Sequence, residues 1–275
     1  MNYKKLLLRI GYSFTETLFP VKCLACRSFF TFAERNNACR KKNPESISNL
    51  NWQNQMLRFF CGKCIAGFTP VEAPVCLQCG IMFKSRRGKD HLCGRCITSP
   101  KNFRKARSAG VYEAALMEAI HCLKYKGKIQ LSEPLGAVLF SVFIRNWETD
   151  CIDMVIPVPL HIKRFKKRGF NQAYLLVRSW SKIAETFPGF SDVKICKDIL
   201  VRKKSTRQQT GLDRKKRMEN VKHAFGLKNS SKIQGKNILL VDDVLTTGAT
   251  SDACAEVLMQ GGAACVDVLT LAQTL

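Results

Sequence analysis

From residue 101 onward the apolar positions fall into two alternating rhythms. Leu116, Ile120 and Leu123 share one side of a helix predicted over Tyr112 to Tyr125. Pro134 to Trp147 is a second apolar helix, with Pro134 in the first turn, where its missing N–H costs little. Asn171 to Phe187 is a third, with Leu175, Val177 and Ile183 turned inward. Short apolar runs at Asp153 to Val158, Ile199 to Arg202, Ala224 to Leu227, Asn237 to Asp242 and Cys265 to Leu271 read as strands. Ala249 to Gln260 is helical, and Gly261-Gly262 is its expected C-cap. Helix alternating with strand predicts an α/β fold: an open, mostly parallel sheet with flanking helices over residues 101–275.

The first hundred residues lack that rhythm. Nine of the 14 cysteines lie there, and eight form four C-x-x-C pairs: Cys23/Cys26, Cys61/Cys64, Cys76/Cys79 and Cys93/Cys96. A C-x-x-C turn presents two thiolates on one knuckle, and two knuckles supply the four sulfurs of a closed tetrahedral zinc site. Residues 1–100 are therefore expected to be a double zinc-ribbon region with two structural zinc ions. The spacing favours Cys23/Cys26 with Cys61/Cys64, and Cys76/Cys79 with Cys93/Cys96. Joining Cys61/Cys64 to Cys76/Cys79 is the competing register. Residues Arg35 to Asn54 read as a polar insertion, in which Cys39 has no partner in the pattern.

No apolar stretch approaches the ~20 residues of a spanning helix, and the run Leu6–Leu8 is too short for a signal peptide. Together with the cysteine usage, this predicts a cytoplasmic protein without a transmembrane segment. Charge changes the picture further. The net charge is +24, and it is uneven: residues 161–222 hold 18 Lys/Arg against 5 Asp/Glu, residues 1–100 hold 16 against 5, and residues 223–275 are slightly acidic. Such a surplus attracts polyanions.

Within the acidic segment lies the most informative string, NILLVDDVLTTGAT at 237–250. Four aliphatics lead to Asp242 and Asp243 at the expected strand end. Thr246, Thr247, Gly248, Ala249 and Thr250 then form a hydroxyl-rich turn at a helix start. The free amides and dipole of that start favour an anion, and a glycine admits it closely. The string resembles the phosphoribosyl pyrophosphate (PRPP) loop of type I phosphoribosyltransferases. The resemblance implies that Asp242 and Asp243 contact the ribose hydroxyls and that Thr246 to Thr250 cradle the 5-phosphate, with Mg²⁺ accompanying PRPP.

Three further strings matter: PVPLH at 157–161, RGFNQA at 168–173 and RQQTGLDRKKRMENV at 207–221. With VDDVLTTGAT at 241–250 they resemble the ComF family. That family joins a zinc ribbon to a phosphoribosyltransferase-like domain and is associated with DNA uptake in competent bacteria. By this resemblance Pro157 and Pro159 belong to a pyrophosphate-side loop. Arg164, Lys167 and Arg168 are its cations, and Arg207 and Gln208 lie in a flexible loop over the site. His161 reads as structural, Phe170 as core, and the other three histidines show no constellation around them.

The implied ligands are PRPP or ribose 5-phosphate and single-stranded DNA, with a competence-machinery protein as a possible partner. No obvious general base appears in the chain. Phosphoribosyl transfer, nucleobase salvage and a non-catalytic PRPP-sensing module therefore all remain as readings.

Overall fold

The computed structural model describes residues 21–30, 50–85, 87–148, 151–185, 194–203 and 223–275. Arg207 and Gln208, Cys39 and most of the polar insertion lie outside the described residues.

A small hairpin, β1 (Val21–Lys22) and β2 (Phe29–Phe30), presents Cys23 and Cys26. Helix α1 (Trp52–Met56) is capped by Asn51, whose Oδ1 accepts from the amide of Asn54 at 3.0 Å. Cys61 and Cys93 are the N-cap residues of two one-turn helices, α2 (Gly62–Ala66) and α3 (Gly94–Thr98). Their backbone amides donate to the sulfurs of Cys23 (3.4 Å) and Cys76 (3.3 Å).

The larger region begins with β3 (Ala106–Val111), then α4 (Ala114–Tyr125), α5 (Ser132–Asn146) and β4 (Met154–Pro157). After these come α6 (Ile162–Arg168), α7 (Gln172–Val177) and α8 (Trp180–Ala184). A hairpin of β5 (Leu200–Arg202) and β6 (Phe225–Leu227) precedes β7 (Asn237–Leu245), α9 (Ala249–Gln260) and β8 (Cys265–Gln273). The sheet order is β3-β8-β7-β4, and every pairing within it is parallel. The mostly parallel open sheet that the hydrophobic runs predicted is therefore present.

Side-chain alternation on β7 separates the two faces. Leu239 and Val241 enter one core with α4, α5, α7 and α8, and the same core continues into Trp52, Met56 and Phe60 of the cysteine-rich half. Ile238 and Leu240 enter the other core, with α9, Phe103 and the β5–β6 hairpin.

Four elements differ from expectation. Strand β3 was not anticipated: ARSAGV carries an arginine and small residues, and its apolar signal is weak even though it pairs along β8. The cations 163–168, which the resemblance attached to the pyrophosphate-side loop, lie on a short helix. The single helix expected over 171–187 is broken after Val177, and Ser179 has a non-helical cap geometry. That break delivers Trp180 to the core, where Nε1 donates to the Gly136 carbonyl at 3.1 Å and the ring stacks on Phe143. A Cβ on Gly136 would stand 2.3 Å from the Leu176 carbonyl, so only glycine lets α5 and α7 come this close. Finally, β7 does not stop at Asp242 but runs on to Leu245, because β8 continues to pair with it.

No helix among the described residues is long and apolar enough to cross a membrane.

Candidate functional site

Strand lengths create the site. β4 pairs with β7 only as far as Pro157 and Val241, and the chain then turns away through Pro159. Asp242 and Asp243 therefore sit past the end of β4, on a strand still braced by β8 on its other side. This is the carboxyl edge of a parallel sheet, where ligands of α/β folds bind.

A cavity of about 420 Å³ opens there. Asp242, Asp243, Thr246, Gly248, Ala249 and Thr250 line one side. Pro159, Arg164 and Arg168 line another. Arg164 and Arg168 are four residues apart and so share one face of α6. Lys167 lies off that face, is exposed, and does not line the cavity. Pro157 is buried at the end of β4, below it. Thr247 is on the far side of the turn, in a smaller cavity with Cys79 and Cys96, and its Oγ1 accepts from the Ala249 amide at 3.4 Å. Gly248 has φ +76°, the left-handed conformation that starts α9 at the cavity wall.

The two acids face opposite ways, as neighbours on a strand must. Asp243 points toward the α4 side and meets Lys124 Nζ at 2.7 Å. Both side chains are largely buried, at 5% and 15% exposure. Burial pulls the Lys124 ammonium down, but the charge and hydrogen bond of Asp243 outweigh it and hold the ammonium above its ordinary value. Asp242 is desolvated and adjoins a second carboxylate, and these two causes lift it to about 7 against the opposing pull of Lys124 and Arg202.

Helix α4 thus supplies residues that the sequence did not single out. His121, one turn before Lys124, and Tyr125, the residue after it, line the cavity, with Tyr112 beside them. Tyr112 Oη and His121 Nε2 are 2.8 Å apart, and the Arg168 guanidinium lies 5.5 Å from the Tyr125 ring centre. The signal for Lys124 was available in principle: a lone cation on a helix whose spacing otherwise marks it as packed. His161, by contrast, is buried and caps α6, its Nδ1 accepting from the Lys163 amide at 3.2 Å. Asn171 is held structurally as well: Oδ1 accepts from the Ala173 amide and Nδ2 donates to the Val158 carbonyl, both at 3.0 Å. Phe170 is partly buried against the α4–α5 core.

The cysteines gather into two sets, Cys23/Cys26/Cys61/Cys64 and Cys76/Cys79/Cys93/Cys96, with the sulfurs of each set within 4.8 Å of one another. The sulfurs of Cys26 and Cys61 are 3.6 Å apart in the first set, and those of Cys79 and Cys93 are 3.8 Å apart in the second. A tetrahedron with Zn–S of ~2.3 Å requires sulfurs roughly 3.8 Å apart, so both donor sets fit zinc. The pairing is the one the loop spacing favoured.

Comparison with known proteins agrees with this architecture. The family model described as phosphoribosyl transferase domain matches residues 173–274, from α7 to the end of β8. The DNA utilization protein YhgH of Escherichia coli is 30% identical over 219 residues, covering 78% of this chain and 90% of that protein. Competence protein F of Haemophilus influenzae is 29% identical over 219 residues, 78% of this chain and 88% of that protein. Competence protein ComFC of Bacillus subtilis is 28% identical over 221 residues, 77% and 82% respectively. With a parallel sheet carrying a phosphoribosyl transferase domain behind two Cys₄ clusters, and relatives matched over most of their length, this chain belongs to the ComF family.

Proposed function

We propose that the cavity binds PRPP or a related ribose 5-phosphate together with Mg²⁺, and that the protein couples this binding to the handling of single-stranded DNA during uptake. The observation that carries the first part is that two acids, a hydroxyl-rich helix start and two arginines line one cavity. Asp242 and Asp243 suit sugar hydroxyls, and the carboxylate oxygen chemistry also suits Mg²⁺. The amides of Gly248 to Thr250 suit a phosphate. Arg164 and Arg168 suit a pyrophosphate leaving group, whose negative charge grows as the sugar–oxygen bond breaks. When bound, Mg²⁺ would supply further charge neutralisation for that group. The chain's own part is to orient the ribose over the acids and keep the phosphates between loop and α6.

For DNA the support is a second groove, of about 710 Å³, on the outer side of α6. It shares Pro159, Leu160 and Arg202 with the first cavity. Phe165 and Ile162, 43% and 57% exposed, line it with Tyr174, Lys197 and Lys228. Apolar and aromatic faces between cations suit stacked bases and a phosphate backbone, and most of this groove's lining comes from the basic segment 161–222. The names of the relatives, DNA utilization and competence proteins, point the same way.

The test is titration of the purified protein with PRPP and Mg²⁺ while pyrophosphate release is followed, alongside binding of a labelled single strand at rising salt. PRPP binding with steeply salt-sensitive DNA binding supports the proposal. Absence of PRPP binding would remove its first part, and DNA affinity that ignores salt would remove its second.

A further inference from the structure

We propose that Lys101 and Asp252 form a neutralising pair that sets the phosphate affinity of the sugar-phosphate cavity from the side of the second cysteine cluster. This rests on the reading that the turn 246–250 receives a phosphate.

The difficulty the pair resolves is electrostatic. Asp252 stands in the first turn of α9, four residues beyond Gly248. A carboxylate there stabilises the helix through its dipole, but it repels any phosphate drawn to the same amides. The structure compensates it fully. Asp252 Oδ1 accepts from the backbone amide of Asn102 at 2.7 Å and from its side-chain Nδ2 at 3.1 Å. Oδ2 faces Lys101 Nζ at 3.3 Å. The two charged side chains are only 7% and 18% exposed, so solvent and salt screen them less than a surface pair.

Lys101 is held in place by the cysteine knuckle. Its amide donates to Gln78 Oε1 at 3.2 Å, and its carbonyl accepts from Gln78 Nε2 at 3.2 Å. Gln78 lies between Cys76 and Cys79. Lys101 also lines the small cavity of about 50 Å³ behind the turn, together with Thr246, Thr247, Gly248, Cys79 and Cys96. The turn is thus clasped, with the ligand cavity on one side and the knuckle on the other. Lys101 acts through Asp252 and not on the ligand, which makes it a positioning residue whose charge matters.

The experiment titrates ribose 5-phosphate and phosphate-free ribose into the full-length wild type, Lys101→Met, Asp252→Asn and the double variant, at low and high salt, with a thermal melt of each. Lys101→Met should weaken ribose 5-phosphate roughly tenfold, because it leaves one uncompensated negative charge near the phosphate, and high salt should shrink that loss. Ribose affinity should change little. Asp252→Asn should bind ribose 5-phosphate more tightly than wild type, and the double variant should return to within about threefold of wild type. Recovery in the double variant separates charge from bracing, since deleting both halves of a brace repairs nothing. A double variant as weak as Lys101→Met, or a Lys101→Met protein of wild-type affinity, overturns the proposal. If the wild type binds no phosphate-bearing sugar, the reading of the turn fails, and the pair falls with it. If the wild type binds and only the recovery fails, the turn stands without the pair.

Discussion

Gln273, the last residue of β8, donates through Nε2 to the carbonyl of Gly80 at 2.8 Å in a buried bond. Gly80 directly follows Cys79 of the second cluster. One residue further, the Thr274 amide donates to the Leu245 carbonyl at 3.0 Å, where β7 enters the turn 246–250. The second cluster is therefore fastened to the strand ends that shape the ligand cavity. The first cluster packs instead against α4 and α5 through Trp52, Met56 and Phe60.

This asymmetry leads to an expectation about metal loss. Cys79→Ser and Cys26→Ser should each reduce the zinc content from two per chain to one. Ribose 5-phosphate affinity should fall more than about fivefold in Cys79→Ser and distinctly less in Cys26→Ser, because only the second cluster adjoins the turn. Metal analysis beside calorimetry checks it. Equal losses in both variants would mean that zinc supports folding in general and not the turn in particular.

The Lys124–Asp243 pair is expected to be costly to break. Lys124→Met leaves a carboxylate that is 5% exposed without its cation. Breaking such a pair from one side costs on the order of 3 kcal/mol. Urea denaturation should show that loss, and adding Asp243→Asn to Lys124→Met should recover most of it. Sugar binding should be weak in the double variant, because the carboxylate is then absent. A loss below ~1 kcal/mol would place the pair in the range of exposed ion pairs.

These residues also show what the sequence could and could not reveal. Asp242, Asp243 and the turn after them are contiguous, so a strand's apolar run followed by acids, hydroxyls and glycine is readable by eye. Lys124 stood out only as a lone cation on a packed helix, and only the fold brings it and His121 to that string. The acids' opposite orientations follow from the period-two strand. Their position beyond β4 depends on where a different strand ends, which local pattern cannot set. Arg164 and Arg168 were legible as cations, but the basic run also named Lys167. Only the helical geometry of α6 separates the two that face inward. Strand β3 went unseen because an edge position tolerates Arg107, Ser108 and Gly110, which dilute the apolar signal.

If a strand of DNA follows the outer groove, removing its flat faces should weaken binding without touching the sugar site. Phe165→Ala and Tyr174→Ala should each cost ~1–3 kcal/mol in affinity for a short single strand, while leaving its salt slope nearly unchanged. Lys197→Ala together with Lys228→Ala should instead lower that slope by about 1.4, about 0.7 for each lost phosphate contact on a single strand. Fluorescence anisotropy across a salt series reads both. Wild-type affinity in the two aromatic variants would move the nucleic acid to another face.

The carboxyl of Asp242 titrates near 7, and the direction of its effect can be worked through. In the unfolded chain an aspartate titrates near ~3.9. Between these values the folded protein holds the extra proton, so this group's contribution to stability declines as pH climbs through the window. Melts of the ligand-free protein from pH 5 to 8 should therefore fall relative to those of Asp242→Asn. Ligand binding should run the other way. Mg²⁺ and ribose hydroxyls call for the ionised form, which burial and the Asp243 charge resist, while Lys124 and Arg202 favour it. Affinity for PRPP with Mg²⁺ should rise by up to about tenfold per pH unit below 7 and level off above pH 8. Asp242→Asn should bind weakly with no such rise. A wild-type affinity flat from pH 6 to 8 would show that this carboxylate neither meets the ligand nor carries the metal.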